Sequence, residues 1–264
     1  MHIAIVDAFT AAPFRGNPAA TVQLPAFPGD ARMQTIACEM NLSETAFAVP
    51  LAANRFHLRW FTPTTEVPLC GHATLAMAHY LRDGSYLDPA LPLVFETLSG
   101  ELMVHFEDED IVMDFPTSYP QADGQASLVR EIVADAAHLY LGSVPMNATV
   151  VLNMESDVAG FIPDLARIAQ IKAACLVITA PADPGREYDF VARVFGPQSG
   201  IPEDPVTGSA YCTLTPYWAQ RLGKKTLRAR QLSARGGDLT VTHAGSRVLI
   251  RGRAVITLRG QIVV

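Results

Sequence analysis

The fold of this chain is decided by the stretch Ile201-Pro202-Glu203-Asp204-Pro205-Val206-Thr207-Gly208-Ser209-Ala210-Tyr211. A strand-like run, Tyr188 to Phe195, leads into this proline-bounded loop, and an apolar helical segment, Ala210 to Leu222, follows it. The glycine at the predicted helix start, Gly208, lets the backbone approach a ligand closely. Because the first amides of a helix attract anions, the stretch predicts a site for an anionic group.

An earlier segment of the chain follows the same plan. Arg59-x-Phe61-x-Pro63 matches Arg193-x-Phe195-x-Pro197, and the next proline, Pro68, matches Pro202. The second copy then has three extra residues, after which Gly71-His72-Ala73 matches Gly208-Ser209-Ala210. Self-similarity over about half the chain predicts a duplicated domain. We therefore expect similar domains at 1–115 and 116–264, with the last strand able to return to the first domain. We also expect both helix starts to face one ligand cleft between the domains.

Composition restricts the class of protein. The chain has 264 residues, of which 49% are hydrophobic and 17% charged, and its formal net charge is -6. This is the composition of a compact globular protein. It has no run of Lys and Arg that would suit a nucleic acid, and no apolar segment near the ~20 residues of a membrane helix. The four cysteines form no CxxC pair, so a reduced, cytoplasmic location is expected.

Four polar residues are candidates for chemistry: Glu44, His72, Asp204 and Ser209. Glu44 stands where a short loop enters an apolar strand, and it is either a solvated loop carboxylate or a mostly buried acid/base. His72 follows Gly71 at a helix start and is either a structural residue or a site residue. Carboxylates and imidazole can move a proton, and helix-start amides can hold a carboxylate or an enolate oxygen. This set suits proton abstraction next to a carbonyl group.

Neither a metal nor a nucleotide is expected. His72 and His79 are seven residues apart, which is not the spacing of a metal site, and no third ligand is evident. The chain has neither a GxGxxG nor a GxxxxGK[ST] motif, and Gly208-Ser209-Ala210-Tyr211-Cys212 is not the GxSxG of a hydrolase.

Blocks of sequence resemble the PhzF family of phenazine-biosynthesis-like isomerases. They are Asp7-Ala8-Phe9-Thr10 with Gly16-Asn17-Pro18, Leu42-Ser43-Glu44-Thr45, Leu69-Cys70-Gly71-His72-Ala73-Thr74 and Glu203-Asp204-Pro205-Val206-Thr207-Gly208-Ser209-Ala210. The resemblance implies an α+β fold of the diaminopimelate epimerase type. In that fold two pseudo-symmetric domains each roll a mixed, mostly antiparallel sheet around a central helix. It also implies a homodimer without cofactors.

The resemblance further implies roles for individual residues. Glu44 would be the proton shuttle, with His72, Asp204 and Ser209 around the substrate. The expected substrate-binding residues are Asn17, Cys70, Gly71, Ala73, Thr207, Gly208 and Ala210. The related epimerases use two opposed cysteines, one at each helix start. Here Cys70 occupies the first such position and Thr207 the second, and a threonine hydroxyl cannot act as the second base near neutral pH.

Three functions remain open at this stage. The favoured one is a cofactor-independent isomerase that moves a proton on a small carboxylate-bearing substrate. The alternatives are a metabolite- or partner-binding protein on the same fold, and an amino-acid racemase or epimerase, which Thr207 disfavours. The sequence does not identify the substrate.

Hydrophobic patterning also predicts helices outside the motifs. Ala73 to Leu81 is apolar on all sides, as expected for a helix surrounded by its own domain. A further helix is predicted from Ser127 to Leu141, followed by an extended segment from Val144 to Leu152. Pro216 lies inside the predicted helix Ala210 to Leu222 and should kink it or cost about 3 kcal/mol.

Overall fold

The computed structural model of the chain describes residues 1–122, 126–133, 137–141 and 147–263. It divides into two compact units, Met1–Asp114 with Arg251–Val264, and Phe115–Ile250. The strands in chain order are β1 (His2–Ala8), β2 (Asn17–Gln23), β3 (Glu44–Ala52), β4 (Arg55–Phe61), β5 (Glu66–Val67), β6 (Leu93–Thr97), β7 (Gly100–Glu107), β8 (Asp110–Pro116), β9 (Gln121–Ala122), β10 (His138–Leu141), β11 (Ala148–Val151), β12 (Leu176–Pro181), β13 (Phe190–Gly196), β14 (Ile201–Asp204), β15 (Thr226–Gln231), β16 (Gly237–Ala244), β17 (Arg247–Gly252) and β18 (Ala254–Gln261). The α-helices are α1 (Asp30–Met40), α2 (Gly71–Asp83), α3 (Ala126–Ile132), α4 (Glu155–Gly160), α5 (Leu165–Ile168) and α6 (Tyr211–Leu222).

The first unit is a mixed sheet packed on α2. Strand β1 pairs antiparallel with β18 and β2, β2 pairs parallel with β3, and β3 pairs antiparallel with β4. Strand β4 then pairs antiparallel with β5 and parallel with β6, and β6, β7 and β8 continue antiparallel. Helix α2 contacts β1, β2, β3 and β18. Since it is covered on several sides, its nearly all-apolar sequence is explained.

The second unit repeats this order of pairing. Strands β10 and β11 are antiparallel, β11 and β12 parallel, and β12 and β13 antiparallel. Strand β13 pairs antiparallel with β14 and parallel with β15, and β15 pairs antiparallel with β16. Helix α6 packs on β15 and β16. Each unit is therefore a mixed, mostly antiparallel sheet with one long buried helix, as the sequence predicted.

Strand register corrects the alignment of the internal repeat. In the first unit Arg59 forms a bidentate ion pair with Glu66, and in the second unit Arg193 forms the same pair with Glu203. Pro68 therefore corresponds to Pro205, and not to Pro202 as predicted. The extra residues of the second copy lie before Glu203, around the 3-10 turn Pro197–Ser199, because this turn separates β13 from β14.

Pro216 lies inside α6, which runs without interruption from Tyr211 to Leu222. A proline has no N–H to offer the carbonyl four residues earlier, which here belongs to Cys212. The backbone N–H of Ser118 donates to that carbonyl at 3.0 Å. The helix therefore tolerates the proline because a segment outside it supplies the missing donor.

Sequence patterning was wrong for residues 138–141. Among the described residues of the predicted helix Ser127 to Leu141, residues 127–132 are helical as part of α3, whereas His138–Leu141 forms β10, paired with β11. Part of that helix and part of the predicted extended segment lie outside the described residues. The longest described helix, α2, has 13 residues, and no described helix is both long and apolar enough to span a membrane.

Candidate active site

Glu44 is the first residue of β3 and lies at the end of the sheet where β2 and β3 run parallel. It pairs in register with Ala19 of β2. Its relative exposure is 8%, so the carboxylate is almost withdrawn from water. Of the two alternatives for Glu44, a solvated loop carboxylate and a mostly buried one, the structure shows the second. A buried carboxylate needs polar neighbours, since an isolated charge in an apolar environment is costly.

His72 supplies such a neighbour. It is the second residue of α2, it is 2% exposed, and its Nε2 lies 3.1 Å from Oε2 of Glu44. The ring nitrogen does not meet hydrogen-bond geometry with any acceptor, so the approach is close but poorly aligned. Catalytic hydrogen bonds are often poorly aligned before substrate binds. The strand and the helix thus place an acid/base candidate and an imidazole side by side.

Burial also determines the charge of this imidazole. Loss of hydration lowers the pKa of His72 from 6.5 to about 3. The ring is therefore neutral near pH 7 and carries one N–H and one lone pair. A neutral imidazole can orient or donate to Glu44 but does not act as an imidazolium acid.

Cys70 lies on the other side of the same ring. Its Sγ is 3.5 Å from Nδ1 of His72, and the thiol is buried. The donor atoms of Glu44, Cys70 and His72 lie within 4.8 Å of one another, a grouping that could hold a metal ion. Oε2 of Glu44 lies nearest to Nε2 of the ring and Sγ of Cys70 nearest to Nδ1. Of these two approaches to the ring, only that of Cys70 meets hydrogen-bond geometry.

The start of α2 presents backbone amides beside this chain. Cys70 precedes the helix and makes no side-chain cap, and the carbonyl of Cys70 first accepts from Thr74 N at 3.2 Å. The amides of Gly71, His72 and Ala73 thus precede the first intrahelical hydrogen bond. All three residues are buried. Such amides favour a carboxylate or a developing enolate oxygen.

Asn17 begins β2, two residues before Ala19, the partner of Glu44. The preceding turn is fixed by two local features. The Asp7 carboxylate accepts from Phe14 N at 2.7 Å, and Gly16 has φ 63° with Ala8 O only 2.1 Å from where a Cβ would lie. Only glycine fits there, so the motif Gly16-Asn17 places a buried amide at the Glu44 end of the sheet.

The second unit contains its own polar cluster around Asp204, the last residue of β14. Asp204 is 8% exposed, and its Oδ2 accepts from Thr207 Oγ1 at 2.5 Å. Thr207 precedes the 3-10 turn Gly208–Ala210, on which Ser209 is half-buried, and α6 follows directly. The hydroxyl at the second cysteine position of the related epimerases is therefore engaged with a carboxylate.

Gln231, which no sequence motif indicated, holds this loop together. It ends β15 and is fully buried. Its Nε2 donates to Asp204 O at 2.7 Å and to Thr207 Oγ1 at 3.3 Å, and its Oε1 accepts from Thr207 N at 2.9 Å. The Gln231 side chain thus fixes both Asp204, at the end of β14, and Thr207, directly before the 3-10 turn.

The internal repeat shows which positions differ between the clusters. Phe47 pairs with Arg59 and Ile178 pairs with Arg193, so Glu44 corresponds to Cys175. By the same register Val67 corresponds to Asp204, and His72 to Ser209. Cys175 donates to Asn147 Oδ1 at 3.0 Å, and burial raises the pKa of its thiol. The structure therefore brings Glu44, Cys70 and His72 together in one unit, and Asp204, Thr207 and Gln231 in the other.

Comparison with known proteins gives consistent matches over the whole chain. A family model described as phenazine biosynthesis-like protein (PhzC-PhzF) matches residues 6–260. A Pseudomonas aeruginosa protein named as an uncharacterized isomerase is 46% identical, over 97% of this chain and 96% of its own length. The crystal structure of a phenazine biosynthesis protein of the PhzF family from Enterococcus faecalis superposes with a TM-score of 0.90 and 39% identity, over 100% of this chain and 99% of that one.

A more distant likeness bears on the fold alone. The crystal structure of a probable proline racemase from Agrobacterium radiobacter has a TM-score of 0.65 at 11% identity, over 99% of this chain and 92% of that one. Together with the match to the Enterococcus faecalis structure, it confirms the predicted epimerase-like fold class.

Proposed function

The chain belongs to the PhzF family of phenazine biosynthesis-like proteins, and from this we propose that it is an isomerase that moves a proton on a small carboxylate-bearing substrate without metal or cofactor. An isomerase function in general is supported by the relatives that carry this name. The observation that carries the finer proposal is the buried pair of Glu44 and His72 at the start of α2, with Oε2 and Nε2 3.1 Å apart.

The proposed reaction needs one proton carrier. Glu44 takes a proton from a carbon next to a carboxylate or carbonyl group, and the electron pair of the broken C–H bond moves into an enolate. Glu44 then returns the proton to another carbon of the same molecule, so nothing is gained or lost overall. His72 stays neutral and orients the Glu44 carboxylate, while the amides of Gly71 and Ala73 stabilise the enolate oxygen.

We propose that the cluster in the second unit serves the same reaction. Asp204, held by Thr207 and Gln231, and Ser209 would contact polar groups of the substrate. The amide of Gly208 would contact an anionic group, since the amide of Ala210 already donates to Thr207 O at 3.1 Å. This proposal is supported by the internal repeat, in which a polar residue follows the glycine in both copies, His72 after Gly71 and Ser209 after Gly208. This assignment is tested by kinetics: if both clusters act on one reaction, losses from Glu44 and Asp204 variants will not add.

The decisive experiment is deuterium exchange. The protein is incubated in deuterated water with a panel of small carboxylic acids that have acidic C–H groups, and solvent deuterium at carbon is followed by NMR. Glu44→Gln keeps the shape and should slow exchange by roughly 10²–10⁴-fold, the range of general acid-base catalysis. The matched control is Glu39→Gln on the exposed face of α1, which should exchange like the wild type.

Two outcomes would refute the proposal. A Glu44→Gln variant that is folded and exchanges at the wild-type rate would remove Glu44 from the chemistry. Saturable binding of an acid without any deuterium incorporation would show a binding protein on this fold.

A further inference from the structure

The environment of the His72 ring is polar on both sides. Nε2 faces Oε2 of Glu44 at 3.1 Å, and Nδ1 faces Sγ of Cys70 at 3.5 Å, within hydrogen-bond range for sulfur. Cys70 is itself fixed, because its carbonyl accepts from both the backbone N–H and the hydroxyl of Thr74. The ring is 2% exposed and the cysteine 5%, so water does not compete at either nitrogen.

These contacts distinguish the two neutral forms of the ring. With the proton on Nε2, the ring can donate to the Glu44 carboxylate, and the Nδ1 lone pair can accept from the Cys70 thiol. With the proton on Nδ1, the Nε2 lone pair would face the lone pairs of the carboxylate oxygen. Only the first form makes both contacts favourable when Glu44 is ionised, the state it needs to act as a base.

We propose that Cys70 is a positioning residue whose thiol donates to Nδ1 of His72 and holds the imidazole in the form with its proton on Nε2, the ring nitrogen beside Glu44. The thiol takes no part in proton exchange with the substrate. The effect of the Cys70 thiol on catalysis rests on the proposed function of Glu44, whereas its effect on the tautomer of His72 does not. The role differs from that of a racemase cysteine, which must lose its own proton.

The alternative is a metal-binding cysteine, since the donor atoms of Glu44, Cys70 and His72 lie within 4.8 Å of one another. A metal ligand must be deprotonated, so a cysteine bound to a metal could not donate to Nδ1, and the two roles exclude each other. Hydrogen bonding of the second ring nitrogen is the usual way in which proteins select a histidine tautomer.

The test is NMR of the ring nitrogens in protein labelled with ¹⁵N-histidine. Long-range ¹H–¹⁵N correlations identify the protonated nitrogen, and His72→Asn assigns the His72 signals among those of the seven histidines. We expect the proton on Nε2 in the wild type. Cys70→Ala should convert a substantial fraction to the Nδ1-protonated form, Cys70→Ser should restore Nε2 protonation, and Cys38→Ser, at an exposed cysteine, should change nothing.

Exchange kinetics give a second measurement. Cys70→Ala should lower kcat by about fivefold with KM nearly constant, the effect of one neutral hydrogen bond, and Cys70→Ser should recover most of it. A wild-type ring protonated on Nδ1, or a Cys70→Ala ring with an unchanged pattern, would overturn the inference. If the alanine variant does not fold, the protonated nitrogen in the wild-type spectrum is the result that tests the inference. Since the spectra need no substrate, the tautomer result stands even if no acid is exchanged and the proposed function fails.

Discussion

Gln231 offers the sharpest test of how the second cluster is held. Gln231→Met keeps the length of the side chain and removes its hydrogen bonds to Asp204 O, Thr207 Oγ1 and Thr207 N. The backbone carbonyl of Asp204 and the N–H of Thr207 each lose this partner in a buried place, at roughly 1–3 kcal/mol per group. Allowing for partial relaxation, we expect the free energy of unfolding to fall by roughly 2–4 kcal/mol.

For a chain of this size that loss corresponds to a fall in Tm of roughly 5–15 °C. Calorimetry measures it, and amide hydrogen exchange at Thr207 should accelerate because its acceptor is gone. The matched control is Gln220→Met on the exposed face of α6, which should leave both quantities unchanged. A Gln231→Met protein with wild-type Tm and unchanged exchange at Thr207 would show that the three hydrogen bonds do not hold the loop.

Three further predictions concern pH, backbone strain and metals. The pKa of His72 is lowered in the folded protein, so between about pH 6.5 and 3 the unfolded chain binds a proton that the folded chain does not. The free energy of unfolding should therefore fall as the pH drops through this range, by at most about 1.4 kcal/mol per pH unit. Urea titrations should show a smaller fall with pH for His72→Asn, and an equal fall in both proteins would contradict the assignment. Gly16→Ala should lower the free energy of unfolding by roughly 1–3 kcal/mol, because the new methyl group would lie 2.1 Å from Ala8 O. Gly29 also has a positive φ but has no atom within 4 Å of the added Cβ, so Gly29→Ala should lower the free energy of unfolding less, as measured by thermal unfolding of both variants. Chelation and exhaustive dialysis should leave deuterium exchange unchanged; loss of exchange that zinc restores would mean that Glu44 acts with a metal.

Much of the fold follows from local signals in the sequence. The glycine helix starts, the buried pattern of α2 and the stop at Asn41, which adopts a left-handed conformation with φ 49°, depend on nearby residues and were predictable. Asp164 caps α5 by accepting from Arg167 N, an interaction that likewise depends on residues close in the sequence. The fold class implied by the sequence resemblance was confirmed by the solved structures.

What the sequence did not reveal depends on contacts distant in the chain. Gln231 lies 24 residues beyond Thr207 and has no neighbouring motif, so only the structure connects it with the loop. His138–Leu141 has a helical pattern but forms a strand because β11 offers an antiparallel partner. The roles of Glu44, His72, Asp204 and Ser209 stay predictions, since burial and distance place these residues without measuring turnover.

The internal repeat has a consequence for the history of the chain. A half-length ancestor that assembled as a dimer of identical copies would have carried the same residue in both copies of every position. Joining the copies in one gene removes this restriction. The Arg59–Glu66 and Arg193–Glu203 ion pairs are still the same in both copies, whereas Glu44 has become matched with Cys175, Val67 with Asp204, and His72 with Ser209. The paired scaffold residues are thus the same in both copies, whereas at these positions the acid, the imidazole and the second carboxylate each stand in one copy.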